Sequence, residues 1–137
     1  MGYNCKLMLC ICSVALILAR VSSATSGRDI RGFIDKHNKA RAAVGVCPIK
    51  CNEAIARYAQ TYADVRSRDC AMEHSMGPYG ENIASGEGMT GAAAVKYWVT
   101  EKDKSTYVGC ATSLCTNGQT FIVCDYDPFE IDGEHSC

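Results

Sequence analysis

Apolar residues recur at helical spacing in three segments of the chain, with an apolar residue returning every three or four positions. These segments predict helices over residues 29–43, 53–68 and 91–102. Asn52 and Thr90 stand just before the second and third segments, and both residue types cap helix N-termini well. The acidic Glu53 in the first turn of the second segment also favours a helix start there.

The pattern changes toward the C-terminal end, where residues 107–111 and 121–126 predict two strands. The dipeptide Asn117-Gly118 lies between them and is the strongest short-range hairpin signal. Residues 70–90 are rich in glycine and interrupted by proline, which predicts a structured loop. Since a stable sheet needs about three strands with an apolar face, the pattern is short of a strand.

The first 24 residues have a pattern of their own. Lys6 precedes a largely apolar run from Leu7 to Leu18, and Arg20 ends it. This run is shorter than the roughly 20 residues that a transmembrane helix needs. Small residues follow up to Ala24, as a signal peptidase requires. We therefore predict a secretory signal over residues 1–24, a single domain over residues 25–137, no transmembrane segment and an extracellular location.

Composition narrows the class of protein. The 137 residues include 10 cysteines, 14 Lys and Arg, and 15 Asp and Glu, for a net charge of −1. The short length excludes a multidomain enzyme, and the near-equal numbers of basic and acidic residues exclude a basic nucleic-acid binder. Cysteine-rich chains are rare in the reducing cytosol unless they bind metal, which favours a secreted, disulfide-braced domain. Removal of the signal would leave seven cysteines, so at least one thiol would be free or bonded to another molecule.

Four short strings occur in a single order along the chain. They are His37-Asn38-Lys39-Ala40-Arg41, the loop from His74 to Asn82, the helix from Ala93 to Lys102, and Cys124-Asp125-Tyr126-Asp127-Pro128. Together they resemble the group-one pathogenesis-related proteins of plants, which belong to the CAP superfamily of cysteine-rich secretory proteins, antigen 5 and pathogenesis-related proteins. The resemblance extends over residues 29–128.

The resemblance implies an α+β fold, an α–β–α sandwich around an antiparallel sheet. It also implies a secreted, non-enzymatic defence protein in the plant apoplast, with an antifungal role and sterols or other lipids as partners. The family's cavity carries two histidines and two glutamates, and His74, Glu81 and Glu101 match three of them. The strand that carries the other histidine is missing between Lys102 and Val108, so we expect an incomplete sheet and a domain truncated after the third helix.

Three chemical interpretations apply to His74, Glu81 and Glu101. Imidazole and carboxylates suit zinc, for which three protein ligands are common at catalytic sites. A Glu–His pair also suits general acid–base chemistry in a hydrolase. We favour a third interpretation, in which a structural hydrogen-bond network ties the glycine-rich loop to the third helix. We therefore predict no catalytic residue and no cofactor. A metal-dependent hydrolase, and a deleted or splice-derived member without activity, remain alternatives.

The resemblance further implies two disulfides, Cys70–Cys115 and Cys110–Cys124. Three other cysteines depart from the family pattern. Whether Cys47 and Cys51 form a local bridge is left open, and Cys137 would then be free or bonded to a second chain. Because a strand is missing, we also expect an exposed sheet edge, a lowered melting temperature and a tendency to dimerise.

Overall fold

The computed structural model describes residues 30–99 and 105–128 of the chain. Helix α1 covers residues 30–43. The other elements, in chain order, are β1 (Lys50–Cys51), α2 (Glu53–Arg66), β2 (Gly80–Gly86), α3 (Gly91–Trp98), β3 (Tyr107–Leu114) and β4 (Thr120–Asp127). The secretion signal predicted for residues 1–24, Glu101 and Cys137 lie outside the described residues. None of the helices in the described ranges is long and apolar enough to cross a membrane.

Both predicted helix caps are present. The side chain of Asn52 accepts hydrogen bonds from the backbone N–H groups of Ala54 and Ile55, and the side chain of Thr90 accepts one from Ala93. These contacts satisfy donors that the first helical turn leaves unpaired. Helix α3 ends at Trp98, four residues before the predicted end at Lys102.

Four strands form one open sheet in the order β1-β3-β4-β2. Strands β3 and β4 are antiparallel neighbours, joined by the predicted hairpin turn. In that turn Gly118 has a φ of 84°, a conformation that glycine adopts without steric cost. The two-residue β1 is parallel to β3, so the sheet is mixed rather than purely antiparallel.

Strand β2 corrects the prediction of a continuous loop over residues 70–90. All seven of its residues, from Gly80 to Gly86, pair antiparallel with β4. Glycine-rich sequence has a weak strand propensity, and here the pairing with an apolar central strand outweighs it. The segment therefore supplies a strand that the hydrophobic pattern alone did not reveal.

The sheet is covered by helices on both faces, which confirms the α–β–α sandwich. Consecutive buried residues of β4 alternate between the faces, as the pleat of a strand requires. One core joins residues of α1, α3 and the sheet: Phe33, Ala94, Val95, Val108, Cys110, Ile122, Cys124 and Tyr126. The other joins α2 to the opposite face: Ala59, Ala63, Cys70, Ala111, Cys115, Phe121 and Val123.

Two disulfides brace this arrangement, Cys70–Cys115 and Cys110–Cys124. They are the two pairs that the resemblance implies. The first joins the end of α2 to the β3–β4 turn, and the second links the two strands of the hairpin. Both therefore connect segments that also meet in the cores.

The local bridge between Cys47 and Cys51, which the sequence left open, does not form. Cys51 is an exposed free thiol, whereas Cys47 is disulfide-bonded. The segment between them is held in place because Asn38 of α1 binds both backbone groups of Ile49, accepting from its N–H at 2.7 Å and donating to its C=O at 3.2 Å. Strand β1 then continues in extended conformation along β3, which carries Cys51 away from Cys47.

Removal of the Cys70–Cys115 bridge is expected to destabilise the domain. The bridge spans 45 residues, and loss of a native disulfide in such a domain typically costs about 2–4 kcal/mol. The double variant Cys70→Ala/Cys115→Ala should show this loss in urea unfolding. Cys51→Ser is the matched control, and its stability should change by less than about 0.5 kcal/mol because the side chain is exposed. Equal stabilities of the double variant and the control would contradict the prediction.

Candidate functional site

The candidate site is built on the segment between α2 and β2, which is attached to α2 at several points. Tyr62 donates a hydrogen bond to the backbone C=O of Glu73, and Arg66 forms an ion pair of 2.8 Å with the Glu73 side chain. One turn earlier in α2, Tyr58 donates to the hydroxyl of Ser75 at 3.2 Å. These contacts bind the segment to the helix through its odd-numbered residues.

His74 and Glu81, which the sequence places seven residues apart, are brought together at the start of β2. The Nδ1 atom of His74 lies 2.8 Å from Oε1 of Glu81, and the same oxygen accepts the N–H of Ser75, also at 2.8 Å. The side chain of Glu81 is 5% exposed and that of His74 is 57% exposed. Glu81 is thus a buried anchor that orients an exposed imidazole.

Asp125 lies next to this pair and was missed by the sequence analysis. It is the cross-strand partner of Glu81 in the β2–β4 register, and it is fully buried. Among the described residues, neither of its carboxylate oxygens has a hydrogen-bond partner, and Oε2 of Glu81 also has none. The sequence did contain one signal for this buried carboxyl: Asp125 is an acidic residue at a core-facing position of a strand that is otherwise apolar.

The surroundings of Asp125 favour its neutral form. Burial and the neighbouring charge of Glu81 raise the pKa of Asp125 from its ordinary 3.8 to about 8. Two ionised carboxylates have no donor to offer each other, whereas one proton on Asp125 supplies the donor for a hydrogen bond to Glu81. These surroundings favour one proton on Asp125 at neutral pH, next to the Glu81 carboxylate that contacts His74.

On the opposite face of the sheet, His37 is buried and has a structural position. Its Nδ1 lies 2.9 Å from the C=O of Phe33, and its Nε2 lies 2.8 Å from the hydroxyl of Tyr126. Because a carbonyl only accepts, Nδ1 carries the proton and Nε2 accepts from Tyr126 in the neutral ring. Asn82 of β2 reaches the same hydroxyl at 3.5 Å, so α1 and two strands are tied together.

The residues proposed for zinc are only partly assembled in the described ranges. His74 and Glu81 contact each other directly, in the geometry of a histidine and its orienting carboxylate. No three His, Cys, Asp or Glu side chains within residues 30–99 and 105–128 are grouped so that they could hold a metal ion. The described site is thus a hydrogen-bonded anchor with one exposed imidazole edge.

A sheet that is covered by helices on both faces and braced by two disulfides defines the class of disulfide-braced α–β–α sandwich domains. The chain belongs to the CAP family, described as the cysteine-rich secretory protein family, which matches residues 34–126. Within that family it belongs with the plant pathogenesis-related 1 proteins, which confirms the resemblance carried by the four strings.

The similarity covers most of each relative. Pathogenesis-related protein 1 of Arabidopsis thaliana is 38% identical over 138 residues, which cover 84% of this chain and 86% of the relative. Pathogenesis-related protein 1A1 of Solanum lycopersicum is 37% identical over 142 residues, which cover 85% of this chain and 80% of the relative. The crystal structure of the hookworm platelet inhibitor has the same fold, with a TM-score of 0.58 at 21% identity over 76% of this chain and 70% of that one.

Proposed function

We propose that this chain is an extracellular pathogenesis-related defence protein that binds a sterol or a related lipid and has no catalytic activity. The observation that carries the defence role is the identity of 38% to a pathogenesis-related protein 1 across most of both chains. The two disulfides support the extracellular location, because disulfides persist in oxidising compartments.

The environment of Glu81 supports binding rather than catalysis. A general base must come within hydrogen-bond distance of the proton that it removes. Glu81 is nearly buried, and its Oε1 already accepts from both His74 and Ser75. Its carboxylate is thereby used to hold the loop, and a substrate could reach it only after those two hydrogen bonds break.

The integrity of the fold supports an active protein over an impaired deletion product. Although α3 and β3 are separated only by residues 99–106, β3 pairs with β4 over its full length of eight residues. Both faces of the sheet carry a buried core. The short connection between α3 and β3 is therefore compatible with a sheet that is covered by helices on both faces.

Sterol binding by the purified, secreted protein tests the proposal. With radiolabelled ergosterol as the probe, we expect saturable binding that is retained in Cys51→Ser and weakened in Cys70→Ala/Cys115→Ala, since only the second change loosens the sandwich. A natively folded protein that binds no sterol would refute the lipid role. Hydrolysis of an ester substrate that disappears in Glu81→Gln would instead establish an enzyme.

A further inference from the structure

Cys47 forms a disulfide whose partner lies outside the described residues. The described ranges contain these cysteines: Cys47, Cys51, Cys70, Cys110, Cys115 and Cys124. Four of them form the two bridges already described, Cys51 is free, and Cys47 is bonded. After removal of the predicted signal over residues 1–24, one further cysteine remains, Cys137. Elimination therefore leaves Cys137 of the same chain, or a thiol of another molecule, as the partner of Cys47.

Cys47 is held at a corner of the sandwich, between the end of α1 and the start of β1. The buried side chain of Arg41, in the last turn of α1, donates through Nε to the C=O of Cys47. The same guanidinium donates through Nη2 to the C=O of Ser105 at 2.8 Å. Ser105 is also buried, and it lies just before β3. Arg41 therefore holds Cys47 beside the segment that leads into β3.

The end of β4 reaches the same corner. The hydroxyl of Ser105 donates to the C=O of Pro128 at 2.9 Å, and the N–H of Thr106 donates to the C=O of Asp127 at 3.1 Å. Three hydrogen bonds, through Arg41 and Ser105, thus connect Cys47 to Pro128. At ordinary bond lengths this path places the carbonyl oxygens of Cys47 and Pro128 at most about 15 Å apart.

The chain after Pro128 is long enough to close this gap. Cys137 lies nine residues beyond Pro128. At about 3.3 Å per residue, these residues reach about 30 Å, twice the distance to be spanned. A thiol on so short a tether has an effective concentration in the millimolar range, far above that of a second chain in dilute solution. The geometry therefore favours a bond within the chain over a bond to another molecule.

We propose that Cys47 and Cys137 form an intramolecular disulfide, which closes residues 129–137 into a strap over the corner where α1, β1, the start of β3 and the end of β4 meet. One S–S bond forms from two thiols. Two protons and two electrons pass by thiol–disulfide exchange to a protein or glutathione disulfide of the secretory compartment, which is reduced to two thiols. Neither of the two described bridges involves α1 or β1. The strap therefore gives this corner a covalent link, which a reductant opens.

Disulfide mapping of the secreted protein tests the proposal. Free thiols are blocked with N-ethylmaleimide, and the denatured, non-reduced protein is digested with trypsin and the endoproteinase Glu-C. Cleavage after basic residues and glutamates isolates residues 42–50 and 135–137, each with a single cysteine. We expect these two peptides as one disulfide-linked species, with the maleimide label on Cys51. Residues 42–50 with a free thiol, or bonded to a second copy, to a small thiol or to any other peptide, would overturn the proposal.

Single variants distinguish one shared bond from two independent cysteines. Cys47→Ser and Cys137→Ser should each take up two maleimide labels per chain, because the abandoned partner is labelled together with Cys51. The unmodified protein and the double variant Cys47→Ser/Cys137→Ser should take up one label, and the control Cys51→Ser none. Both single variants and the double variant should lower the urea midpoint equally, since each removes the same bond. A double variant with the summed losses of the two single variants would contradict the bond.

Hydrogen exchange tests where the strap acts. The N–H of Lys50 donates to Thr106, and the N–H of Thr106 donates to Asp127, so both amides lie at this corner. They should exchange at least about tenfold faster in Cys137→Ser than in Cys51→Ser, because the corner opens more often without its covalent link. The amides of β2, at the other edge of the sheet, should exchange equally in both variants. Equal rates at Lys50 and Thr106 would contradict a strap over this corner.

Discussion

Replacement of Gly109 by alanine is expected to disrupt the packing of α2 on the sheet. Gly109 lies in β3 between two buried residues, and a Cβ atom there would overlap the backbone N of Ala56 and the carbonyl C of Ile55. Overpacking usually costs about 1–3 kcal/mol when side chains can adjust. Here the obstacle is helix backbone, which is anchored at its start by the hydrogen bond from Asn52 N–H to the C=O of Val108.

We therefore expect Gly109→Ala to lose more than about 4 kcal/mol in the free energy of unfolding, which is exceptional for one added methyl group. Urea unfolding followed by circular dichroism measures the change. Gly32→Ala is the matched control, because a Cβ at Gly32 meets no atom within 4 Å. Its stability should stay equal or rise by up to about 1 kcal/mol. If Gly109→Ala unfolds at the same urea concentration as the control, this result contradicts the close approach of α2 to β3 at Gly109.

Replacement of Asp125 by asparagine is expected to stabilise the domain at neutral pH. The pKa of Asp125 is about 8 in the folded protein against an ordinary 3.8. Between these values the folded chain keeps a proton that the unfolded chain releases, so stability falls as pH rises from about 4 to about 8, by at most about 1.4 kcal/mol per pH unit. Asparagine is neutral throughout this range, and its amide N–H can donate to Oε2 of Glu81.

Asp125→Asn should therefore remove most of the decline in stability and gain up to about 4 kcal/mol at pH 7. Unfolding free energies measured at pH 5, 6, 7 and 8 test this. Asp127→Asn is the control on the same strand, because its side chain is exposed; it should retain the decline. A wild-type stability that stays flat or rises over this range, or a variant weaker than wild type at pH 7, would contradict the buried pair.

Several elements could be predicted from short stretches of sequence because their causes are local. The helices follow from apolar spacing and from the caps at Asn52 and Thr90, and the hairpin follows from Asn117-Gly118. The disulfide pairs came from the family resemblance rather than from spacing. Helix α3 was predicted too long, since helical spacing continues past Trp98 although the helix does not.

Other features depend on partners that are distant in sequence. Strand β2 has a weak propensity of its own and forms because β4, about 40 residues later, offers an apolar edge. The free thiol of Cys51 follows from the hold of Asn38 on Ile49 and from the pairing of β1. Neither contact can be read from the Cys47–Cys51 spacing, which by itself leaves a local bridge open.

The sequence by itself determined the helices, the hairpin, the family and the place of His74 in the segment that begins with Cys70. Periodicity, caps, turns and motifs allow this because they act within a few residues. Only the tertiary structure decided that Asp125 lies beside Glu81. That contact depends on the β2–β4 register, and a shift of one residue would turn Asp125 to the other face. Burial of both carboxyls under the same helix then raises the pKa of Asp125, an effect of surroundings that no single segment contains.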